Sequence, residues 1–195
     1  MNRLPSGADM STTFILDPGH GMSNRRRGVF DPGAVAAGVR EADIAMEWTN
    51  ELRSILRAAG HRVVRTRIDH HDPAPVGKRA GIARQYRGDV MVSFHCNAAD
   101  GRANGTETFY RGAENRAMAS ALNEAVVEAL GTRSRGARTE RESQHARLAI
   151  MAFQPCFLIE LGFIDHDGDR AKLLDADLRR RACEAIAREL LSSTA

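Results

Sequence analysis

The chain has 195 residues, of which 43% are hydrophobic and 27% charged. These values are typical of one globular domain and exclude a disordered or fibrous chain. Because the first residues mix Pro, Gly, Ser and Asp without periodicity, we expect a flexible lead over 1–12 and a single domain over 13–195. The net charge is only +3 and the arginines, all but two of the 28 basic residues, are scattered, so no nucleic-acid partner is expected.

The cysteines and the apolar runs of the sequence indicate the cellular compartment in which the chain is made. Cys96, Cys156 and Cys183 cannot all pair with one another, and none has the CxxC spacing of a metal knuckle, so a disulfide scaffold is not expected. The first residues lack the apolar run of a signal peptide, and no run approaches the length of a membrane span. We therefore expect a monomer that is synthesised in the cytoplasm without a signal peptide and does not insert stably into membranes.

Strand and helix patterns alternate along the chain. Short β-type runs predict strands over 13–16, 62–66, 89–94, 106–110 and 156–161. Apolar residues at three- and four-residue steps predict helices from 41 to 59, from 78 to 86, from 114 to 130 and from 176 onward. This order predicts an α/β fold, a single domain with a central, mostly parallel twisted sheet flanked by helices. The charge-rich segment 132–144 is predicted to be an exposed loop beside the functional site.

Four residues that bind metals or carry protons lie at the ends of predicted elements. His20 follows the first strand, His95 ends the third and Glu160 lies in the last, while Glu41 begins the first helix. In such folds, ligands gather at the carboxyl ends of the strands. The turn 17–21, Asp-Pro-Gly-His-Gly, aims one imidazole at a fixed point. Two histidines and one carboxylate leave an open position on zinc, so the four residues predict a metal site of unknown purpose.

Five motifs give this metal site a family context. They are ILDPGHG (15–21), DPGAVAAGVREADIAME (31–47), SFHCNAA (93–99), GTETFY (105–110) and PCFLIELGFIDHDGD (155–169). In order and spacing they resemble the zinc N-acetylmuramoyl-L-alanine amidases of bacterial cell walls and phage endolysins, over about Phe14 to Leu190. The chain departs from the family pattern at Cys96 and at Asp165-His166, which leaves the proposed ligands untouched.

The resemblance implies roles for the four residues. His20, Glu41 and His95 are expected to bind Zn²⁺, and Glu160 is the expected catalytic carboxylate. The implied reaction hydrolyses the amide bond between N-acetylmuramic acid and L-alanine in peptidoglycan, which suits an endolysin that reaches the cell wall after release. Two alternatives stay open: a zinc peptidase acting on the stem peptides of peptidoglycan, and a non-catalytic wall-binding module.

Placement alone suggests further contributors. Asn97, Arg79 and His145 are candidate substrate-binding residues, and the first two are also candidates for supporting the ligands. Cys96, beside the second histidine, is interpreted as an inert buried thiol in preference to a metal ligand. The pair His70-His71, which lies between two aspartates, is interpreted as part of a solvated loop in preference to a second metal site.

Overall fold

A computed structural model describes residues 11–192. The strands are β1 (Thr13–Pro18), β2 (Gly21–Met22), β3 (Phe30–Asp31), β4 (Val35–Ala36), β5 (Val39–Arg40), β6 (Arg62–Arg65), β7 (Val90–Asn97), β8 (Thr106–Tyr110), β9 (Ser134–Thr139) and β10 (Cys156–Phe163). The α-helices are α1 (Glu41–Ala58), α2 (Val76–Gln85), α3 (Arg116–Leu130), α4 (Asp167–Leu174) and α5 (Ala176–Ser192). Short 3₁₀ helices cover Ala113–Asn115, Glu140–Glu142 and Ala149–Ala152.

Six strands form the central sheet, in the order β6-β1-β7-β10-β8-β9. Strands β6, β1, β7 and β10 are mutually parallel, whereas β8 pairs antiparallel with β10 and parallel with β9. The β2–β3 and β4–β5 pairs are two-stranded ribbons in the segment between β1 and α1. The predicted fold class, a mostly parallel sheet in one α/β domain, is confirmed.

The sheet is covered on both faces, as its apolar strands require. Along β1, Phe14 and Leu16 belong to one buried cluster, whereas Ile15 belongs to another, because side chains alternate between the faces of a strand. The larger cluster includes Trp48 of α1, Leu122 of α3 and residues of α5. The smaller one includes residues of α2 and of the short helix Ala149–Ala152. This layering fixes the strand ends, and with them the side chains that follow.

Among the α-helices and the strands of the central sheet, the sequence patterns missed two elements. All five predicted strands and all four predicted helices are present, with ends shifted by three residues or fewer. The predicted loop 132–144 is wrong over Ser134–Thr139, which is strand β9. This edge strand is held by backbone pairing with β8, and its Arg- and Gly-rich sequence lacks the apolar alternation that marks buried strands. Helix α4 was also missed, because it is only 8 residues long and buries little apolar surface.

The predicted domain limits stay a prediction. Residues 1–10 of the expected flexible lead lie outside the described residues. Over residues 11–192, no helix is long and apolar enough to cross a membrane.

Candidate metal centre and active site

The fold brings the four predicted reactive residues to one end of the sheet. His20 lies two residues beyond the end of β1. His95 in β7 and Glu160 in β10 are direct partners in the parallel pairing of these strands. Glu41 is the first residue of α1. All four side chains line one cavity of about 780 Å³.

Three of these side chains converge on a common point. Nε2 of His20 lies 2.9 Å from Oε1 of Glu41, and Nδ1 of His95 lies 2.8 Å from the same oxygen. One ligand atom from each residue lies within 4.8 Å of the other two. Two imidazole nitrogens and a carboxylate are the donor set of catalytic zinc sites, so the residues present fit a metal ion. This is the sole such cluster found in the part of the chain that the structure describes.

Two glycines allow the ligands to approach this closely. A Cβ on Gly19 would lie 2.5 Å from Cε1 of His95, and a Cβ on Gly33 would lie 2.5 Å from Oε2 of Glu41. Gly33 also has a φ of 69°, which disfavours other residues. His20 itself has a φ of 59°, an uncommon backbone conformation for a residue with a side chain. Through their backbone conformation, the two Asp-Pro-Gly turns, 17–19 and 31–33, therefore hold the His20 imidazole and the Glu41 carboxylate in place.

Asp31 orients the first histidine from outside the cluster. Its Oδ2 lies 3.1 Å from Nδ1 of His20, the ring nitrogen that faces away from Glu41. Burial raises the pKa of Asp31, but hydrogen bonds from the Asn24 amide, the Gly33 backbone and His20 bring it below its ordinary value. An ionised carboxylate on the outer nitrogen fixes the tautomer that leaves Nε2 free to bind a metal.

The polar contacts also set the charge state of the cluster. Burial raises the pKa of Glu41, but hydrogen bonds with His20 and His95 lower it well below its usual range. Burial lowers the pKa of His20, yet its bonds to Glu41 and Asp31 raise it above its ordinary value. The cluster therefore contains an ionised carboxylate, which favours a cation at this point.

Glu160 differs from the other three residues because it has no hydrogen-bond or ion-pair partner among residues 11–192. Its Oε2 is buried and makes no hydrogen bond with any described residue. Burial, together with the nearby charges of Glu41 and Glu107, raises the pKa of Glu160 well above its ordinary value. A carboxyl group with one buried, unpaired oxygen and a raised pKa, beside a possible metal site, is what a proton-transferring residue requires.

Two buried arginines lie beneath the loop that carries His20. Arg79 pairs with Asp17 at 2.8 Å and donates to the backbone carbonyls of Pro18, His20 and Ala74. Arg67 donates to the carbonyls of Pro18, Gly19, Ala42 and Asp69. Both guanidiniums are at most 2% exposed. Of the two roles suggested for Arg79, these contacts favour support of the loop.

The other two candidate substrate residues lie on the cavity wall. Asn97, at the end of β7, donates from its side-chain amide to Glu107 at 2.7 Å. His145 is exposed and lines the cavity in the segment that follows β9. Their contact with substrate stays a prediction.

The surroundings of Cys96 fit its interpretation as an inert buried thiol, and those of His70-His71 fit the interpretation as part of a loop. The Cys96 amide donates to Oε1 of Glu41 at 3.0 Å, and burial raises the pKa of its thiol well above the ordinary value. His70 lies 3.3 Å from Asp43, and the Asp69 carboxylate accepts bonds from the backbone amides of His71 and Asp72.

Comparison with known proteins decides the family. A family model described as N-acetylmuramoyl-L-alanine amidase matches residues 14–192. The chain belongs to this family. Membership in the N-acetylmuramoyl-L-alanine amidase family confirms the resemblance seen in the five motifs.

Individual relatives agree with this membership. A cell wall amidase of Bacillus anthracis is 32% identical over 190 residues, which cover 89% of this chain and 34% of the relative. An endolysin of Bacillus phage SPP1 is 31% identical over 86% of this chain and 60% of its own length. The chain thus spans about a third of the first of these proteins and less than two thirds of the second.

A solved amidase has the same fold over its whole length. The catalytic domain of the N-acetylmuramoyl-L-alanine amidase CwlV from Bacillus (Paenibacillus) polymyxa superposes with a TM-score of 0.81 at 25% identity. The match covers 94% of this chain and 98% of that domain.

Sequence reasoning missed several residues that shape the site. It did not find Asp31, although the repeated Asp-Pro-Gly turn at 17–19 and 31–33 was a visible signal. It also missed Arg67 and Glu107, which no local pattern distinguishes from surface residues.

Proposed function

We propose that the chain is a zinc-dependent hydrolase of the amide bond between N-acetylmuramic acid and L-alanine in peptidoglycan, with His20, Glu41 and His95 as ligands. The observation that carries this proposal is the placement of an unpartnered Glu160 carboxyl beside this donor set in one cavity, in a chain of the amidase family. The names of the relatives, cell wall amidase and endolysin, support the same substrate.

The chemistry divides between the bound ion and Glu160. A bound zinc ion supplies Lewis acidity. Glu160 accepts a proton from the attacking water as its oxygen bonds to the lactyl carbonyl carbon. The C–N bond then breaks, and Glu160 returns the proton to the nitrogen that leaves as the amine of alanine. One water is consumed, and the products are a lactyl carboxylate and a free peptide amine.

The surroundings raise the proton affinity of Glu160, which makes its ionised carboxylate a stronger acceptor for the proton of the attacking water. Burial raises the pKa of Glu160, and the negative charges of Glu41 and Glu107 add to this shift. Because Glu41 would share its charge with a metal ligated in the cluster, its effect on Glu160 would weaken in the loaded site. Asp31 and the buried arginines act at a distance from the reaction, by holding His20 in place.

The proposal is tested with purified sacculi and mass spectrometry of the soluble products. The zinc-loaded protein should release peptides that begin with a free L-alanine amine, and a chelator should stop the release until zinc is restored. Glu160→Gln should lower the rate by about 10²–10⁴-fold and leave the zinc content unchanged. Glu128→Gln, on the exposed face of α3, is the matched control and should behave as the wild type. Peptides released at the parental rate by Glu160→Gln would contradict the proposal.

A further inference from the structure

The antiparallel part of the sheet places two arginines against the strand partner of Glu160. Glu107 of β8 is the direct partner of Glu160 in β10. Arg135 and Arg138 of the edge strand β9 both approach Glu107, with Nε–Oε2 distances of 3.0 and 3.3 Å. All three side chains line the cavity that holds the metal cluster. Neither the motifs nor the proposed reaction assigns a role to this arginine pair.

The positions of the two guanidiniums are fixed before any ligand binds. Glu107 is only 6% exposed and is held by the Asn97 amide at 2.7 Å. Arg135 lies over the ring of Phe163, with its guanidinium carbon 5.0 Å from the ring centre. The Nε of Arg138 also donates to the Arg135 carbonyl. A pre-organised donor pair binds an anion without a large ordering cost.

The pair has more positive charge and more donors than its contacts use. Two guanidiniums share the single carboxylate of Glu107. Both use their Nε atoms, and within residues 11–192 neither donates a hydrogen bond from its terminal nitrogens. The other nearby carboxylate, Glu142, accepts hydrogen bonds from the amide and hydroxyl of Thr139. Arg135 and Arg138 are 25% and 36% exposed, so their free donors can reach a ligand.

From this geometry we infer that Arg135 and Arg138 form an anion subsite for a free carboxylate on the leaving stem peptide, an inference that rests on the proposed function. Guanidinium forks suit carboxylates, which they bind through paired hydrogen bonds. The subsite selects stems whose second residue is γ-linked glutamate with a free α-carboxylate over stems with the carboxamide, isoglutamine.

Distances favour the second residue of the stem. Neighbouring strands are about 4.8 Å apart, so the backbone of β9 lies roughly 10 Å from that of β10, and both arginines reach back toward β10 by contacting Glu107. Consecutive Cα atoms are 3.8 Å apart, which puts the carboxylate of the second residue roughly 6 Å from the scissile nitrogen. The carboxylate of that residue therefore falls within the span between Glu160 and the arginine pair.

The test compares two substrates that differ in one group. They are N-acetylmuramoyl-L-Ala-γ-D-Glu-L-Lys and its counterpart with D-isoglutamine in place of the glutamate. The zinc-loaded wild type should hydrolyse the acid with a kcat/KM about tenfold or more above that for the amide, since hydrogen bonds to a charged group contribute about this much. The double variant Arg135→Gln/Arg138→Gln should reduce the ratio to within about threefold while retaining hydrolysis of the amide substrate. Arg141→Gln, an exposed arginine in the following short helix, should keep the wild-type ratio.

Each outcome bears on one of the two proposals. Equal rates of the wild type on acid and amide would overturn the anion subsite and leave the amidase proposal standing. An equal loss on both substrates in the double variant would also overturn the subsite, because a structural role predicts it. Hydrolysis of neither substrate by the wild type would contradict the proposed function. In that event, calorimetric titration with the two free tripeptides decides the subsite, and equal affinities would overturn it.

Discussion

Removal of the Arg79 side chain should destabilise the whole active-site end of the domain. Arg79→Met leaves Asp17 buried without its cation and deprives the carbonyls of Pro18, His20 and Ala74 of a donor. Breaking a buried ion pair by deleting one partner costs about 3–5 kcal/mol. Against a total unfolding free energy of about 5–15 kcal/mol, this is a large fraction. Because the His20 carbonyl also loses its donor, zinc affinity should fall as well.

The assay is urea unfolding of the metal-free protein, followed by circular dichroism, together with a zinc titration of the same samples. Arg84→Met, on the same helix but exposed, is the matched control and should change the unfolding free energy by less than about 1 kcal/mol. Arg79→Lys keeps the charge but loses the fork of donors, so an intermediate loss is expected. An Arg79→Met protein within about 1 kcal/mol of the wild type, with unchanged zinc affinity, would refute the assigned role.

Three further perturbations test neighbouring parts of the site. Asp31→Asn should weaken zinc binding by about 10–100-fold, because His20 loses its ionised partner. Competition with a chromophoric chelator measures the zinc affinity, and an unchanged affinity would contradict the orienting role of Asp31. Burial raises the pKa of Asp17, but Arg79 and the Ser93 and Thr66 hydroxyls lower it below its ordinary value near 3.8. The stability that Asp17 contributes is therefore present above about pH 4 and is lost as the pH falls further. Between pH 5 and pH 2.5, the urea midpoint of Asp17→Asn should fall less steeply than that of the wild type. Parallel slopes of the two proteins would rule this out. Gly33→Ala should abolish tight zinc binding, since its Cβ would overlap Oε2 of Glu41, and a normal zinc content after dialysis would show that the loop can adjust.

The parts of the site that the sequence predicted are those with a local signature. His20 and His95 follow or end apolar strand runs, and Glu41 starts a helix with regular apolar spacing. The carboxyl ends of parallel strands meet at one edge, so the meeting of these residues followed from the fold class. The distances between their side chains could not be predicted from the fold class, because these distances depend on turns that only the three-dimensional structure defines.

The parts that were missed depend on contacts between distant segments. Arg67 donates to the Pro18 carbonyl across 49 positions of the chain, and an arginine that is buried has no local mark that separates it from an exposed one. Strand β9 lies at the edge of the sheet, and its long arginine side chains border the cavity. For this reason it lacks the apolar alternation that marks a buried strand. The same strand supplies the arginine pair beside Glu107, so the segment with the weakest sequence signal carries the inferred specificity.

Hydrolysis of a defined muropeptide in ¹⁸O-labelled water tests the central claim most directly. With N-acetylmuramoyl-L-Ala-γ-D-Glu-L-Lys as substrate, the zinc-loaded protein should place one ¹⁸O atom in the lactyl carboxylate of N-acetylmuramic acid and release an unlabelled peptide with a free alanine amine. Mass spectrometry of both products locates the label. Label in a carboxylate of the peptide, with alanine still joined to the sugar, would identify a peptidase and contradict the assignment of this bond.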